Sequence, residues 1–129
     1  MPPGQVVLDS SALLAFLCRE PGMEVVAPKL RDAMLSTVNY AEVLAKLAEL
    51  NVPADAVRGI LDDLEVRIVD FGTAHATLAA SLREITRPLG LSLGDRACLA
   101  LGIFEQAVVL TADRIWAESD VSIVVKVIR

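Results

Sequence analysis

Four acidic residues in this chain have the type and placement to share one chemistry: Asp9 in VVLDSSALL, Glu42 in LSTVNYAEVLAKL, Asp95 in LSLGDRACLALG and Asp113 in VVLTADRIWA. Each stands near the point where an apolar, strand-like run gives way to a helical pattern. Singly, each has an ordinary structural role. Asp9 and Asp113 fit the N-cap of a following helix, where a carboxylate accepts free backbone N–H groups. Glu42 comes three residues after Asn39, and Asp95 three after Ser92, which is the spacing of a capping box or its aspartate variant. Jointly they describe carboxylates gathered at one edge of a parallel sheet. Such a gathering raises pKa values and costs stability through like-charge repulsion. A hard divalent cation, Mg²⁺ or Mn²⁺, relieves it and prefers oxygen ligands. A cation held there lowers the pKa of a water, positions it against phosphorus and neutralises the leaving oxygen.

The remaining acids lack this placement. Asp70 also ends a strand-like run, VRIVDFG, but has no flanking pattern and reads as structural. Asp62, Asp63 and Glu65 read as a solvated helix end, Glu49 and Glu105 lie late in helices, and Asp120 falls in a turn.

The elements that must position the four acids follow from apolar periodicity. Strands are expected at Gln5–Leu8, Ala33–Ser36, Val66–Val69, Ala107–Leu110 and Ser122–Val127. Helices are expected over Ser11–Cys18, Met23–Asp32, Tyr40–Leu50, Pro53–Leu64, Thr73–Thr86 and Asp95–Glu105, with a helical turn over Ile115–Glu118. Short apolar strands alternating with helices imply an α/β fold, an α/β/α sandwich around a mostly parallel sheet. Ligands of such sheets bind outside the carboxyl ends of the strands, near a switch in strand order.

Composition narrows the function classes. A chain of 129 residues, 54% hydrophobic, supports one domain with a real core, 1–129, and excludes disorder. No apolar run reaches the roughly 18 residues of a membrane span. The start, MPPGQVV, lacks the basic segment and long apolar run of a signal peptide, so the expected location is the cytoplasm. The net charge of −5 and the 4% aromatic content speak against a broad basic nucleic-acid face and against a base-stacking platform. Neither excludes a nuclease, since metal-holding carboxylates inflate the negative count. Cys18 and Cys98, both in apolar helical patterns, read as buried small hydrophobes. His75, in GTAHATLAASL, reads as a surface or packing residue with no nucleophile motif around it.

The four segments together resemble the PIN-domain nucleases, and specifically the VapC toxins of toxin–antitoxin modules. VLDSSALLAFL is similar to the family's opening strand with its first acid, STVNYAEVLAKL to the segment with the second, LSLGDRACLALG to the third and VLTADRIWA to the fourth. The resemblance runs nearly the whole length, in order. It implies a three-layer α/β/α PIN-like domain and Mg²⁺- or Mn²⁺-dependent endoribonuclease activity. Asp9, Glu42, Asp95 and Asp113 would be its catalytic and metal-holding residues, with water as nucleophile and 3′-hydroxyl and 5′-phosphate products. It also implies an RNA substrate, a homodimer and a cognate VapB-like antitoxin covering the site. Ser11 and Thr111 match hydroxyl positions of the family that orient a carboxylate or a metal-bound water; turn and cap chemistry explains them equally well.

Two rivals fit less well. A phosphoacceptor receiver domain, a signalling module with an acidic pocket, would by resemblance carry an acidic pair after the first strand and a lysine after the last. Here two serines follow Asp9, and Lys126 lies within the final strand. A haloacid-dehalogenase phosphatase would need an aspartate where Ser11 stands. An RNA-processing PIN nuclease without an antitoxin is the alternative within the enzyme class.

Overall fold

The computed structural model describes residues 5–129; the first residues of the segment read as lacking a leader lie outside this range. Five strands form one parallel sheet in the order β3-β2-β1-β4-β5: β1 Val6–Leu8, β2 Ala33–Ser36, β3 Arg67–Val69, β4 Val108–Thr111 and β5 Val125–Val127. The chain therefore starts in the centre and builds outward through β2 to β3. It then crosses back over β1 to lay down β4 and β5. Strand order reverses between β1 and β4, the place outside whose carboxyl edge ligands of such sheets bind.

The sheet alternation sorts the core into two faces. Val6 and Leu8, Leu35 and Leu110 point to one side. There they meet Ala12, Leu13 and Ala15 of α1 (Ser10–Leu17), Val43 and Leu47 of α3 (Thr37–Glu49) and Val57 and Leu61 of α4 (Ala54–Asp63). Val7, Met34 and Val109 point to the other. They pack on Ala79 of α5 (Thr73–Ser81), on Trp116 and on Cys98 to Leu101 of α7 (Leu93–Glu105). Two single-turn helices, α2 (Met23–Val26) and α6 (Arg83–Thr86), complete the helical layers. The result is the expected three-layer sandwich. No helix among the described residues is long and apolar enough to cross a membrane.

Several boundaries differ from the periodicity, each for a local reason. Met23–Asp32 is not one helix: after α2 it tightens into a 3-10 segment, Ala27–Asp32, because Pro28 lacks the N–H an α-helix would use. Thr73–Thr86 divides into α5 and α6 at Leu82. The start of α3 lies one turn earlier than expected, with Ser36 accepting from the Val38 N–H. Cys18 is exposed rather than buried, because α1 ends at Leu17 and Cys18 is its C-cap. His75 is a half-buried packing residue between Phe71 and Phe104, as expected.

The position of α7 sets the site. It runs from the carboxyl edge of the sheet to the opposite edge, since β4 begins three residues after its end. Gly94 and every residue from Arg96 to Gly102 are buried, so it is a core helix rather than a surface one. Its approach to β4 needs Gly102, where an added Cβ would stand 2.5 Å from Val109 Cγ2. Gly102→Ala should therefore lower stability by about 1–3 kcal/mol through overpacking, despite the roughly 1 kcal/mol that alanine gains in helix propensity. A urea titration checks this; an unmoved or higher midpoint would mean that β4 yields.

Candidate active site

The first residue past β1 is Asp9, and its backbone N–H still belongs to the sheet, donating to Leu110 O at 3.1 Å. Its side chain caps α1: Oδ1 accepts from the Ala12 N–H at 2.8 Å. The Ser11 hydroxyl lies 2.7 Å from Oδ1 and 2.8 Å from Oδ2, and Thr111 Oγ1 donates to Oδ2 at 2.7 Å. Both hydroxyls also accept from the segment after β4, Ser11 Oγ from the Ala112 N–H and Thr111 Oγ1 from the Asp113 N–H. One carboxylate and two hydroxyls thus bind the end of β1 to the end of β4. Asp9 is only 4% exposed. That burial pushes its pKa up from 3.8 to about 6, against the lowering effect of its hydrogen bonds, and the charge of Asp95 pushes the same way.

Asp95 sits in the first turn of α7, which starts at the same edge. It forms the expected capping box with Ser92: Asp95 Oδ2 accepts from the Ser92 N–H at 2.9 Å, and Ser92 Oγ from the Asp95 N–H at 3.2 Å. Partial burial raises its pKa, and the charges of Glu42 and Asp113 add to the rise. Asp113 caps the 3-10 turn Arg114–Glu118, accepting from the Ile115 N–H at 3.1 Å, and is exposed.

Glu42 is the exception to the capping pattern. Asn39 is not an N-cap, because Ser36 holds that place and Asn39 lies inside α3. The spacing of three instead brings the two side chains together, and Asn39 Nδ2 donates to Glu42 Oε1 at 2.9 Å. The same amide group donates to Gly94 O at 3.1 Å, which joins α3 to the first turn of α7. Asn39 and Gly94 are the contributors that sequence reasoning missed. The only signal for Asn39 was a spacing that also spells a capping box.

Capping and clustering therefore coexist. Asp9 feels Asp95, and Asp95 feels both Glu42 and Asp113, so the four acids form one electrostatic group. Asp70 is exposed at the far end of the same edge, beyond β3, and joins none of these contacts. Among the described residues, no three His, Cys, Asp or Glu side chains stand close enough to make a ready coordination shell. A hydrated Mg²⁺ does not demand one, since it keeps several waters and takes one or two carboxylates directly. The donor set is oxygen only. Cys98, the nearby sulfur, is fully buried, and burial first and the charges of Asp9, Asp95 and Glu42 next push its thiol pKa well up. It stays a neutral core residue rather than a soft ligand.

Residues 6–121 match the family profile of the PIN domain. The chain belongs to the PIN-domain family. No curated protein matches it significantly. Among solved structures, this PIN domain is similar to a DNA-bound VapBC from Salmonella typhimurium, at 14% identity and a TM-score of 0.73 over 97% of this chain and 98% of that one. It is similar to a toxin–antitoxin complex from Klebsiella pneumoniae at 16% identity and a TM-score of 0.72, over 88% and 91% of the two chains. FitAcB from Neisseria gonorrhoeae gives 22% identity and a TM-score of 0.69, over 94% and 96%. At these identities the likeness is one of fold.

The raised pKa of Asp9 has a stability consequence. The folded state holds the Asp9 proton up to about pH 6, whereas an unfolded chain releases it near 3.8. Its contribution is most favourable below about pH 4 and is lost as pH rises through 6, a difference of at most about 3 kcal/mol. In metal-free buffer, Asp9→Asn should thus be more stable than wild type at pH 7, by roughly 1–3 kcal/mol, with the gap closing towards pH 4. Paired denaturant titrations at the two pH values measure it. An asparagine variant less stable at pH 7 would show that the lost hydrogen bonds outweigh the buried charge.

Proposed function

We propose that this PIN domain is a Mg²⁺- or Mn²⁺-dependent endoribonuclease and the toxin of a toxin–antitoxin module, with a VapB-like antitoxin as partner and the cytoplasm as its place of action. The observation that carries the reading is the electrostatic linkage of Asp9, Glu42, Asp95 and Asp113 at the point where strand order switches. The fold shared with the toxin–antitoxin complex from Klebsiella pneumoniae and the VapBC of Salmonella typhimurium supports the antitoxin partner. A homodimer is part of the same proposal.

The residues present fit such a metal. The carboxyl groups are hard oxygen donors, and one of them, Asp9, carries a burial cost that a cation would offset. Asp9 and Asp95 would hold it, with Glu42 and Asp113 completing the acidic shell. When bound, the cation supplies an activated water and neutralises charge on the phosphate. The chain's own part is orientation. Ser11 and Thr111 fix both oxygens of Asp9, and the Ser92 N–H fixes one oxygen of Asp95. At neutral pH a group with a pKa of about 6 is mostly ionised, so Asp9 can serve as a ligand there. Without a cation the acidic edge repels the RNA backbone, so productive RNA binding should itself depend on metal.

The rim suits a protein inhibitor. Leu93, two residues before Asp95, and Ile115, two after Asp113, are exposed apolar side chains. A basic residue of the antitoxin would compete with the cation, and flanking apolar groups would rest on Leu93 and Ile115. An RNA-processing role without an antitoxin is the second reading, and the test below separates the two.

The purified chain, free of any partner, should cleave RNA with Mg²⁺ or Mn²⁺ and stop on addition of EDTA, leaving 3′-hydroxyl and 5′-phosphate ends. Asp95→Asn should keep the cap yet lower kcat by about 100-fold or more. Metal-independent cleavage leaving a cyclic phosphate would overturn the chemistry. The toxin reading expects a small protein encoded beside this chain to inhibit cleavage, and to lose potency when the basic residues of its tail become alanine. Inhibition that ignores those residues would rule out direct plugging of the acidic edge.

A further inference from the structure

Three of the four acids are anchored by backbone: Asp9 by the Ala12 N–H, Asp95 by the Ser92 N–H and Asp113 by the Ile115 N–H. Glu42 has no such anchor. It reaches from the second turn of α3 on a longer side chain, and its one hydrogen bond among the described residues comes from Asn39 Nδ2. Both partners of that amide nitrogen, Glu42 Oε1 and Gly94 O, can only accept, so the orientation of the amide is fixed.

Asn39 is 1% exposed, and its Oδ1 is buried with no partner. An orphaned buried acceptor costs stability. An apolar residue of the same size would fill the space without that cost. What an apolar residue lacks is the donor that Glu42 shares with Gly94 O. Gly94 supplies the other half of the seat. The place where its Cβ would stand is taken by the Glu42 carboxylate, with Cδ at 2.8 Å and Oε1 at 2.9 Å. The carboxylate thus lies against the backbone one residue before Asp95.

We propose that Asn39 and Gly94 are positioning residues that together hold the Glu42 carboxylate at working distance from Asp95, Asn39 by its side-chain donor and Gly94 by having no side chain. The inference rests on the metal-dependent nuclease reading of this site. It predicts an unusual combination: substitutions that leave the fold as stable as before, or more so, yet weaken the site. Asn39→Leu removes an unsatisfied buried acceptor. Gly94→Ala adds a better helix former, and the group it collides with is the movable end of a flexible side chain.

The test compares wild type, Asn39→Leu, Gly94→Ala and Glu42→Gln, each as the whole chain without partner. Mn²⁺ affinity is read by calorimetry, stability by thermal unfolding without metal, and RNA cleavage by separate kcat and KM. Loss of a group that orients a metal ligand typically weakens metal binding by about 10–100-fold. Both positioning variants should show a loss of that order in Mn²⁺ affinity and, at saturating Mn²⁺, in kcat with KM for RNA nearly unchanged, and Gly94→Ala should melt at or above wild type. If both keep wild-type Mn²⁺ affinity and kcat while Glu42→Gln loses them, the positioning role is wrong and the nuclease site stands. If Glu42→Gln is also unaffected, Glu42 has no part in the site and the positioning role falls with it, while the nuclease reading still stands or falls on the cleavage by wild type. Should Asn39→Leu fold poorly, Gly94→Ala decides alone.

Discussion

A buried carboxylate must have its charge answered, and in this chain the answer to Asp9 organises the centre of the molecule. Its two oxygens collect a backbone N–H from α1 and hydroxyls from Ser11 and Thr111. Those hydroxyls in turn receive N–H groups from the segment after β4. The carboxyl ends of β1 and β4 are joined by this small polar network. The network also leaves Asp9 short of full compensation, since its pKa stays raised despite every donor. The burial of this one carboxylate therefore costs the fold stability at neutral pH. A fold selected only for stability would place an uncharged side chain there.

Around that centre, α7 does what a surface helix could not. Buried on almost all sides, it meets the sheet at Gly102 and the Glu42 carboxylate at Gly94. One glycine admits a strand and the other a carboxylate, so one helix fixes both the depth of the core and the spacing of the acids. Pairing through α3 and α7 is also why Glu42, six residues beyond β2, still reaches the site.

Much of this was legible in the sequence because it rests on local rules. Apolar runs of three or four residues between helical patterns give the strands, and hydroxyl or acidic residues at their ends give the caps of α1 and α7. Asp9, Asp95 and Asp113 all accept backbone N–H groups at the start of helical turns, as their positions suggest, and the charge of Asp113 still reaches Asp95. What escaped was set at a distance. The exposure of Cys18 follows from where α1 stops. The role of Asn39 depends on Gly94, more than fifty residues further on in the chain. A spacing of three within a helix does not tell whether the first residue caps that helix or steadies the second.

The contact between Thr111 and Asp9 spans 102 positions of the chain. The strand that brings Thr111 to the centre is the fourth of five, and the helix that carries Asp95 immediately precedes it. The network around Asp9 therefore needs a chain that already contains β4, far beyond Asp9 and Glu42 in the sequence. A fragment ending before β4 would keep Asp9 but lose the Thr111 hydroxyl and the N–H groups that complete its network.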